Sequence, residues 1–440
     1  MLTVRSSRVV LPDGERAASI HIEAGVITSV DVSDVAGRAD VIDVGDLVIS
    51  PGIVDTHVHI NEPGRTEWEG FDTATRAAAA GGVTTLVDMP LNSIPATTTV
   101  KALEAKRAAA RGKCCVDVGF WGGVVPGNDR ELDALVDAGV RGFKCFLVPS
   151  GVDEFPAVGE HDLRRAMPIL ARRDVPLLVH AELPEFLREP THSTYQTYST
   201  YLATRPAAAE VEAIRLIVRL ASEFGARAHI VHVAAAEAVQ EIELAKADGV
   251  SITAETCPHY LTFAAEGILD GATEFKCAPP IREASHRTAL WDGLQRGVLD
   301  MIATDHSPAP PAMKCRGDFM RAWGGIASLE ISLAAVWTNV AHDAGDGQRL
   351  RLAKWMSEFP AALAGLADRK GRIAAGFDAD LVVWDPDAEF TVDAAALQQR
   401  HKVTPYAGRR LRGRVMSTFV RGQRVWDNGT LTCGSVGRLL

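Results

Sequence analysis

The chain of 440 residues is 47% hydrophobic and 23% charged, an ordinary globular composition with enough length for a large core and an accessory domain. Its formal net charge of -10 argues against nucleic acid or an anionic membrane surface as the main partner, because both select basic patches. The opening run MLTVRSSRVVLPDGE lacks the apolar core of a signal peptide, and no stretch nears the length needed to span a bilayer, so a cytoplasmic protein without a membrane partner is expected.

Residues 1–50 alternate short β-rich runs with turns: Leu2 to Val4, Ser19 to Ile22, Val26 to Val30 and Val41 to Ile49, broken by Asp13-Gly14 and Gly25. Residues 371–385 and 412–427 read the same way. The two ends are therefore expected to pair into one discontinuous β-sandwich, with residues 1–50 as its first part and 371–440 as its second part and C-terminal tail.

Between them, in 51–370, apolar β-branched runs alternate with alanine-rich helical patterns. Candidate strands are Ile53 to His59, Thr84 to Met89, Val116 to Trp121, Gly142 to Leu147, Pro176 to Ala181, His229 to Val233, Ile252 to Thr256 and Met301 to Thr304. Candidate helices are Thr73 to Ala80, Thr99 to Arg111, Arg130 to Ala138, Asp162 to Arg173, Ala207 to Phe224, Ala236 to Ala247 and Ala284 to Arg296, and 326–370 reads as a further helical segment. Near-continuously apolar strands separated by helices mark a parallel sheet buried on both faces, and eight of them point to an α/β fold of the (β/α)8 barrel type. The alternative, a doubly wound open sheet, usually carries a Gly-rich turn after its first strand, and none is found here.

In such barrels the chemistry sits at the C-terminal ends of the strands. Those ends carry His57 and His59 on the first, Lys144 on the fourth, His180 on the fifth, His232 on the sixth and Asp305 just past the eighth. In a strand, side chains two apart share a face, so His57 and His59 meet at one spot while Val58 packs on the other. Any one of these residues is more often structural; six metal-capable or acid/base groups converging on one mouth indicate a metal site. His229, three residues before His232, is expected on the opposite face with a structural role.

Lys144, in GFKCFL, would bury an ammonium in an apolar strand, which costs several kcal/mol unless it is paired or neutralised. Two solutions stand open on chemistry alone. One is a salt bridge to Asp305; the other is uptake of CO2 by the neutral amine, giving an anionic carbamate able to bridge two metals. The seven cysteines (114, 115, 145, 257, 277, 315 and 433) are odd in number and include no C-x-x-C pair, which fits free thiols in a reducing compartment, with Cys145 and Cys257 read as small buried hydrophobes.

The motifs DTHVH (55–59), GFKCFL (142–147), LLVHAE (177–182), IVHVA (230–234), ETCPHYL (255–261) and ATDHSP (303–308) carry a resemblance, over essentially the full length, to the cyclic amidohydrolases of the metal-dependent amidohydrolase superfamily. That resemblance implies two divalent cations: His57, His59 and Asp305 on the first, His180 and His232 on the second, and Lys144 carboxylated at Nζ and bridging both. It also implies hydrolysis of a ring amide by water activated between the cations, with Asp305 carrying its proton to the departing ring nitrogen. Zinc suits these donors, although iron, cobalt, manganese and nickel accept the same set. Relatives are commonly homotetramers.

Loops bear on the choice among cyclic ureides. Residues 60–71 and 146–156 resemble the branch that opens hydantoin rings bearing a ureido substituent. Dihydroorotases place an arginine where Asn61 stands, although Arg65 is close by. Hydantoinases and dihydropyrimidinases place a tyrosine five residues beyond the bridging lysine, where this chain has Pro149. Asn92, Ser150 and Ser307 are candidate substrate contacts, each as readily an ordinary turn or loop residue. Arg282 could touch substrate or close a loop, His259 is read as structural, and the insertion Leu183 to Tyr201, with Tyr195, Tyr198 and Tyr201, is a lid or a subunit contact. The rival readings are a hydantoinase or dihydropyrimidinase, a dihydroorotase, and a non-catalytic scaffold; the complete ligand set opposes the last.

Overall fold

The computed structural model describes residues 1–31, 40–190, 195–340, 347–432 and 434–440. Eight parallel strands form the barrel wall: Ile53–Val58, Val83–Asp88, Asp117–Phe120, Phe143–Phe146, Leu177–His180, Ala228–Ile230, Ile252–Thr256 and Met301–Ile302. The third and fourth are stitched by Arg141 N to Phe120 O and Gly122 N to Gly142 O, each 2.9 Å. The ring closes where His306, past the eighth strand, bridges Val58 in parallel, and where His59 N donates to His306 O at 2.8 Å.

Alternation sorts the side chains. Val54, Val87, Met89, Trp121, Leu178, Val231, Met301 and Ala303 fill the interior, and Ala361, Leu363 and Leu366 join them from the helical segment that follows Ser332. Outward-facing residues such as Leu86, Val118, Phe143, Val179 and Ile230 pack under the surrounding helices in the main core. Alanine-rich helix faces allow close approach: Ala74, Ala77 and Ala78 of Phe71–Ala80 are fully buried. Two of the long helices stop at a left-handed glycine, Ala207–Phe224 at Gly225 with φ 63 and Ala284–Arg296 at Gly297 with φ 75. Residues 326–370 contain Leu329–Ile331, Ser332–Asn339, Gly347–Ala353, a π-helical turn Lys354–Glu358 and Phe359–Leu363.

Strands from both chain ends join one nine-stranded sheet. Val48–Pro51 pairs antiparallel with Leu381–Thr391, which pairs in turn with Arg410–Val420. Val4, Ile20, Ile22, Ile49, Leu381, Val383 and Phe419 form its core. Two details differ from expectation. Val41 to Ile49 is two strands, Val41–Asp43 and Val48–Pro51, because Gly45 at φ 67 turns the chain. Residues 371–380 are turns, and the strand begins at Leu381. A buried charge cluster ties this sheet to the barrel: Lys370 Nζ reaches Asp117 and Asp380 at 2.6 Å and Asp378 at 2.9 Å, and Arg421 also meets Asp117. The three carboxylates lie close enough to hold a cation, but Lys370, Arg421 and Arg369 already pair with them.

Among the described residues no helix is long and apolar enough to cross a membrane. Cys114, Cys115, Cys145, Cys257 and Cys277 are buried free thiols, Cys315 is partly exposed, and Cys433 lies outside the described residues.

Candidate metal centre

The strand ends position the site through backbone geometry as much as through sequence. His59, His232 and Asp305 all lie beyond the regular ends of their strands, and His232 and Asp305 take left-handed backbone at φ 43 and φ 46. Asn61 and Asn92, at φ 66 and φ 65, do the same on neighbouring loops. Non-glycine residues occupy this region at a cost, and such residues gather where surrounding structure must aim a side chain.

The aim is inward. Nε2 of His57 and of His59 lie 3.2 and 3.3 Å from Oδ1 of Asp305. On the other side, Nδ1 of His180 and Nε2 of His232 are 3.0 Å apart. The two groups are contiguous, since the rings of His57 and His232 are centred 5.4 Å apart. Lys144 is fully buried and its Nζ has no hydrogen-bond partner; it sits 4.8 Å from the centroid of the Phe146 ring, which stacks on His180. Thus all six expected residues converge on one mouth, and the salt bridge from Lys144 to Asp305 is not formed.

Electrostatics separates the imidazoles. Burial holds His59 and His180 below the usual histidine range, and burial with the neighbouring His180 and Lys144 charges pushes His232 well below it, so all three present neutral lone pairs. His57 is the exception: burial opposes its charging, but the carboxylates of Asp305 and Glu255 outweigh it and raise the ring to about 9. Those carboxylates favour positive charge at this point, whether a proton or a divalent cation. Burial pushes the Lys144 ammonium down to about 8. Neutral imidazoles, an adjacent carboxylate and an unpartnered buried amine are a donor set that suits divalent transition metals, so the residues fit the expected cations.

Two buried acids escaped the sequence reading. Glu182 accepts from Nε2 of His180 at 2.7 Å and from Arg205 at 3.0 and 2.5 Å. Glu255 accepts from Nδ1 of His57 and, on its other oxygen, from Nε2 of His229 at 3.1 Å. A signal existed for both: Glu182 follows His180 by two residues and so shares its face, and an acid inside the apolar strand Ile252–Thr256 requires a partner. His229 is a correction. It reaches Glu255, the carboxylate that partners His57, rather than facing away, because the left-handed turn at His232 breaks the alternation on which that expectation rested.

A cavity of about 660 Å³ opens above these groups. Asn92, Ser150 and Ser307 line it with Pro149, Tyr201, Arg205 and Trp323. Asn92 Nδ2 lies 3.4 Å from Nδ1 of His59 and its Oδ1 is unpartnered, whereas the Ser150 hydroxyl donates to Phe155 O at 2.6 Å. Tyr201 is the one tyrosine among the lining residues, and its hydroxyl donates to Cys277 O at 2.7 Å. Arg65 is not among the lining residues; it pairs with Glu154 and donates to Asn92 O at 2.9 Å. Arg282 donates to Arg205 O at 3.1 Å and faces Glu210, and it is not among the residues lining the cavity. His259 is buried against Tyr260, with ring centroids 4.2 Å apart. In the insertion Leu183 to Tyr201, Tyr198 and Tyr201 are pinned to Ile281 O and Cys277 O, Tyr195 is exposed, and residues 191–194 lie outside the described residues.

A parallel α/β barrel with histidines and an aspartate at its C-terminal mouth defines a class, and the family model described as the amidohydrolase family matches residues 48–425: the chain belongs to that family. Among curated relatives, the allantoinase of Streptomyces avermitilis is 51% identical, covering 100% of this chain and 98% of its own. The allantoinase of Arabidopsis thaliana is 44% identical over 99% of this chain and 90% of its own. The allantoinase of Saccharomyces cerevisiae is 46% identical over 88% and 84%. Among solved structures, the L-hydantoinase (dihydropyrimidinase) of Arthrobacter aurescens superposes with a TM-score of 0.92 at 31% identity, covering 100% of this chain and 99% of its own.

Proposed function

We propose that the chain is an allantoinase, a hydrolase acting on cyclic amides that opens the hydantoin ring of allantoin at the amide next to the ureido-bearing carbon and yields allantoate. The observation that carries the site reading is the arrangement of two imidazole pairs and Asp305 around an amine, Lys144, that burial leaves without a partner.

His57, His59 and Asp305 would hold one divalent cation, His180 and His232 a second, and Lys144 both. For this the neutral Lys144 amine adds to CO2: an N–C bond forms, a proton leaves nitrogen, and the resulting carbamate offers two oxygens. The pair of cations, most simply zinc and otherwise iron, cobalt, manganese or nickel, would supply a water of lowered pKa and polarise the ring carbonyl. Asp305 accepts the proton of the attacking water and delivers it to the ring nitrogen as the C–N bond breaks. His57 pulls its carboxyl well below the usual carboxylate range, against the opposing effect of burial, so it begins as an acceptor. Asn92, Ser150 and Ser307 stand along the cavity where the ureide would lie, and Oδ1 of Asn92 is free to accept from an amide N–H. The enzyme would act in allantoin degradation, a step of purine catabolism, as a cytoplasmic homotetramer.

The hydantoinase reading is the rival, and Pro149 together with the committed hydroxyl of Tyr201 opposes it. Metal-reconstituted protein should turn over allantoin faster than hydantoin, dihydrouracil or dihydroorotate assayed side by side. A faster rate on any of the other three would replace the proposed substrate. Elemental analysis well under one metal per chain would reject the enzyme in favour of a scaffold.

A further inference from the structure

Each of the four imidazoles turns one nitrogen to the centre and the other outward, and the outward partners are unequal. Nδ1 of His57 donates to Glu255, a fully buried carboxylate that also accepts from His229, its one other hydrogen-bond partner among the described residues. Among the described residues no lysine or arginine forms an ion pair with Glu255. Nε2 of His180 donates to Glu182, but both oxygens of that carboxylate already accept from Arg205, at 3.0 and 2.5 Å. Nδ1 of His59 faces the neutral amide of Asn92 at 3.4 Å, and Nδ1 of His232 is buried with no partner.

A carboxylate that accepts the outer N–H of a metal-binding imidazole strengthens the ligating nitrogen and favours positive charge beside it. A guanidinium laid along the same carboxylate cancels most of that charge. We propose that this inequality grades the two cation positions. Glu255 is a positioning residue that makes the site of His57, His59 and Asp305 the tightly held one, while Arg205, by neutralising Glu182, leaves the site of His180 and His232 exchangeable. The proposal rests on the two-cation reading above and adds to it an order of release and the residues that set it.

Glutamine substitutions separate charge from shape, because the amide oxygen can still accept the imidazole proton. Zinc-loaded protein is dialysed against increasing concentrations of a chelator, and zinc per chain is measured by elemental analysis. The parent should release its zinc in two steps. Glu255→Gln should weaken retention of the later-released ion by about 10- to 100-fold. Replacing Glu182 and Arg205 together by glutamine, which removes both charges of the compensated pair, should change retention of the earlier-released ion by about threefold or less. Equal losses in Glu255→Gln and in this double variant, or the larger loss in the double variant, overturn the grading while leaving the two-cation reading intact. A parent that never holds more than one zinc overturns that reading instead. If Glu255→Gln does not fold, Arg205→Gln decides: freeing the Glu182 charge should tighten the earlier-released zinc, and a loosening overturns the proposal.

Discussion

Lys144 and Asp305 share one mouth and do not pair: Oδ1 of Asp305 faces His57 and His59, while Nζ of Lys144 has no hydrogen-bond partner and lies 4.8 Å from the centroid of the Phe146 ring. Of the two ways to accommodate a lysine in an apolar strand, the ion pair is therefore not the one adopted. Burial has also brought the amine to about 8, where a fraction is neutral and nucleophilic near physiological pH. Lys144→Ala should abolish turnover and reduce bound metal, and a short carboxylic acid added to the variant should restore part of the rate by standing in for the carbamate. Unchanged kcat in Lys144→Ala would reject the bridging role.

Asp305→Asn keeps the side-chain shape and tolerates the left-handed backbone at φ 46. The imidazoles are untouched, so at least one cation should remain while kcat falls by about 100- to 10,000-fold. Kinetics and metal content measured on the same preparation check both halves, and full activity would remove Asp305 as the proton carrier.

Glu330 provides a pH dependence away from the centre. Burial raises its carboxyl from 4.5 to about 7 even though it accepts from the Gln398 N–H at 2.5 Å. With the folded pKa above the unfolded one, the folded state binds the extra proton between these values. The stability it supports is present below about 4.5 and lost as pH rises through about 7. Glu330→Gln should flatten that slope and raise Tm by a few degrees at pH 8 relative to the parent. Parallel Tm-against-pH curves for the two proteins would disprove the assignment.

Gly325 sits on the cavity wall at φ 147, where a Cβ would come within 2.3 Å of Ser307 O and 2.9 Å of Ser307 Cβ. Gly325→Ala must displace Ser307 or the segment beyond it, at a cost of about 1–3 kcal/mol. A raised KM for allantoin with zinc content unchanged is expected. Unaltered KM would show that the wall at Ser307 does not meet the substrate.

Much of this architecture is legible in the amino-acid sequence. Period-two alternation placed His57 and His59 together, and apolar strands alternating with alanine-rich helices implied the barrel, because both signals are local. The exact ends of strands six and eight were not legible. Ala228–Ile230 and Met301–Ile302 stop early, and His232 and Asp305 are aimed by left-handed turns that depend on tertiary packing. Glu182 and Glu255 were overlooked for a related reason. The position of Glu182 two residues after His180 is a local cue, but Arg205 and His57, which lie 23 and 198 residues from Glu182 and Glu255, are tied to them by no local pattern.

Val48–Pro51 completes its ladder only with Leu381–Thr391, more than three hundred positions later in the chain. During vectorial synthesis the amino-terminal strands therefore emerge with an open hydrogen-bonding edge, and the whole barrel must be made before that edge is covered. Ribosome-bound intermediates ending ahead of Leu381 are the species most exposed to edge-to-edge association, and the ones with most to gain from chaperone capture.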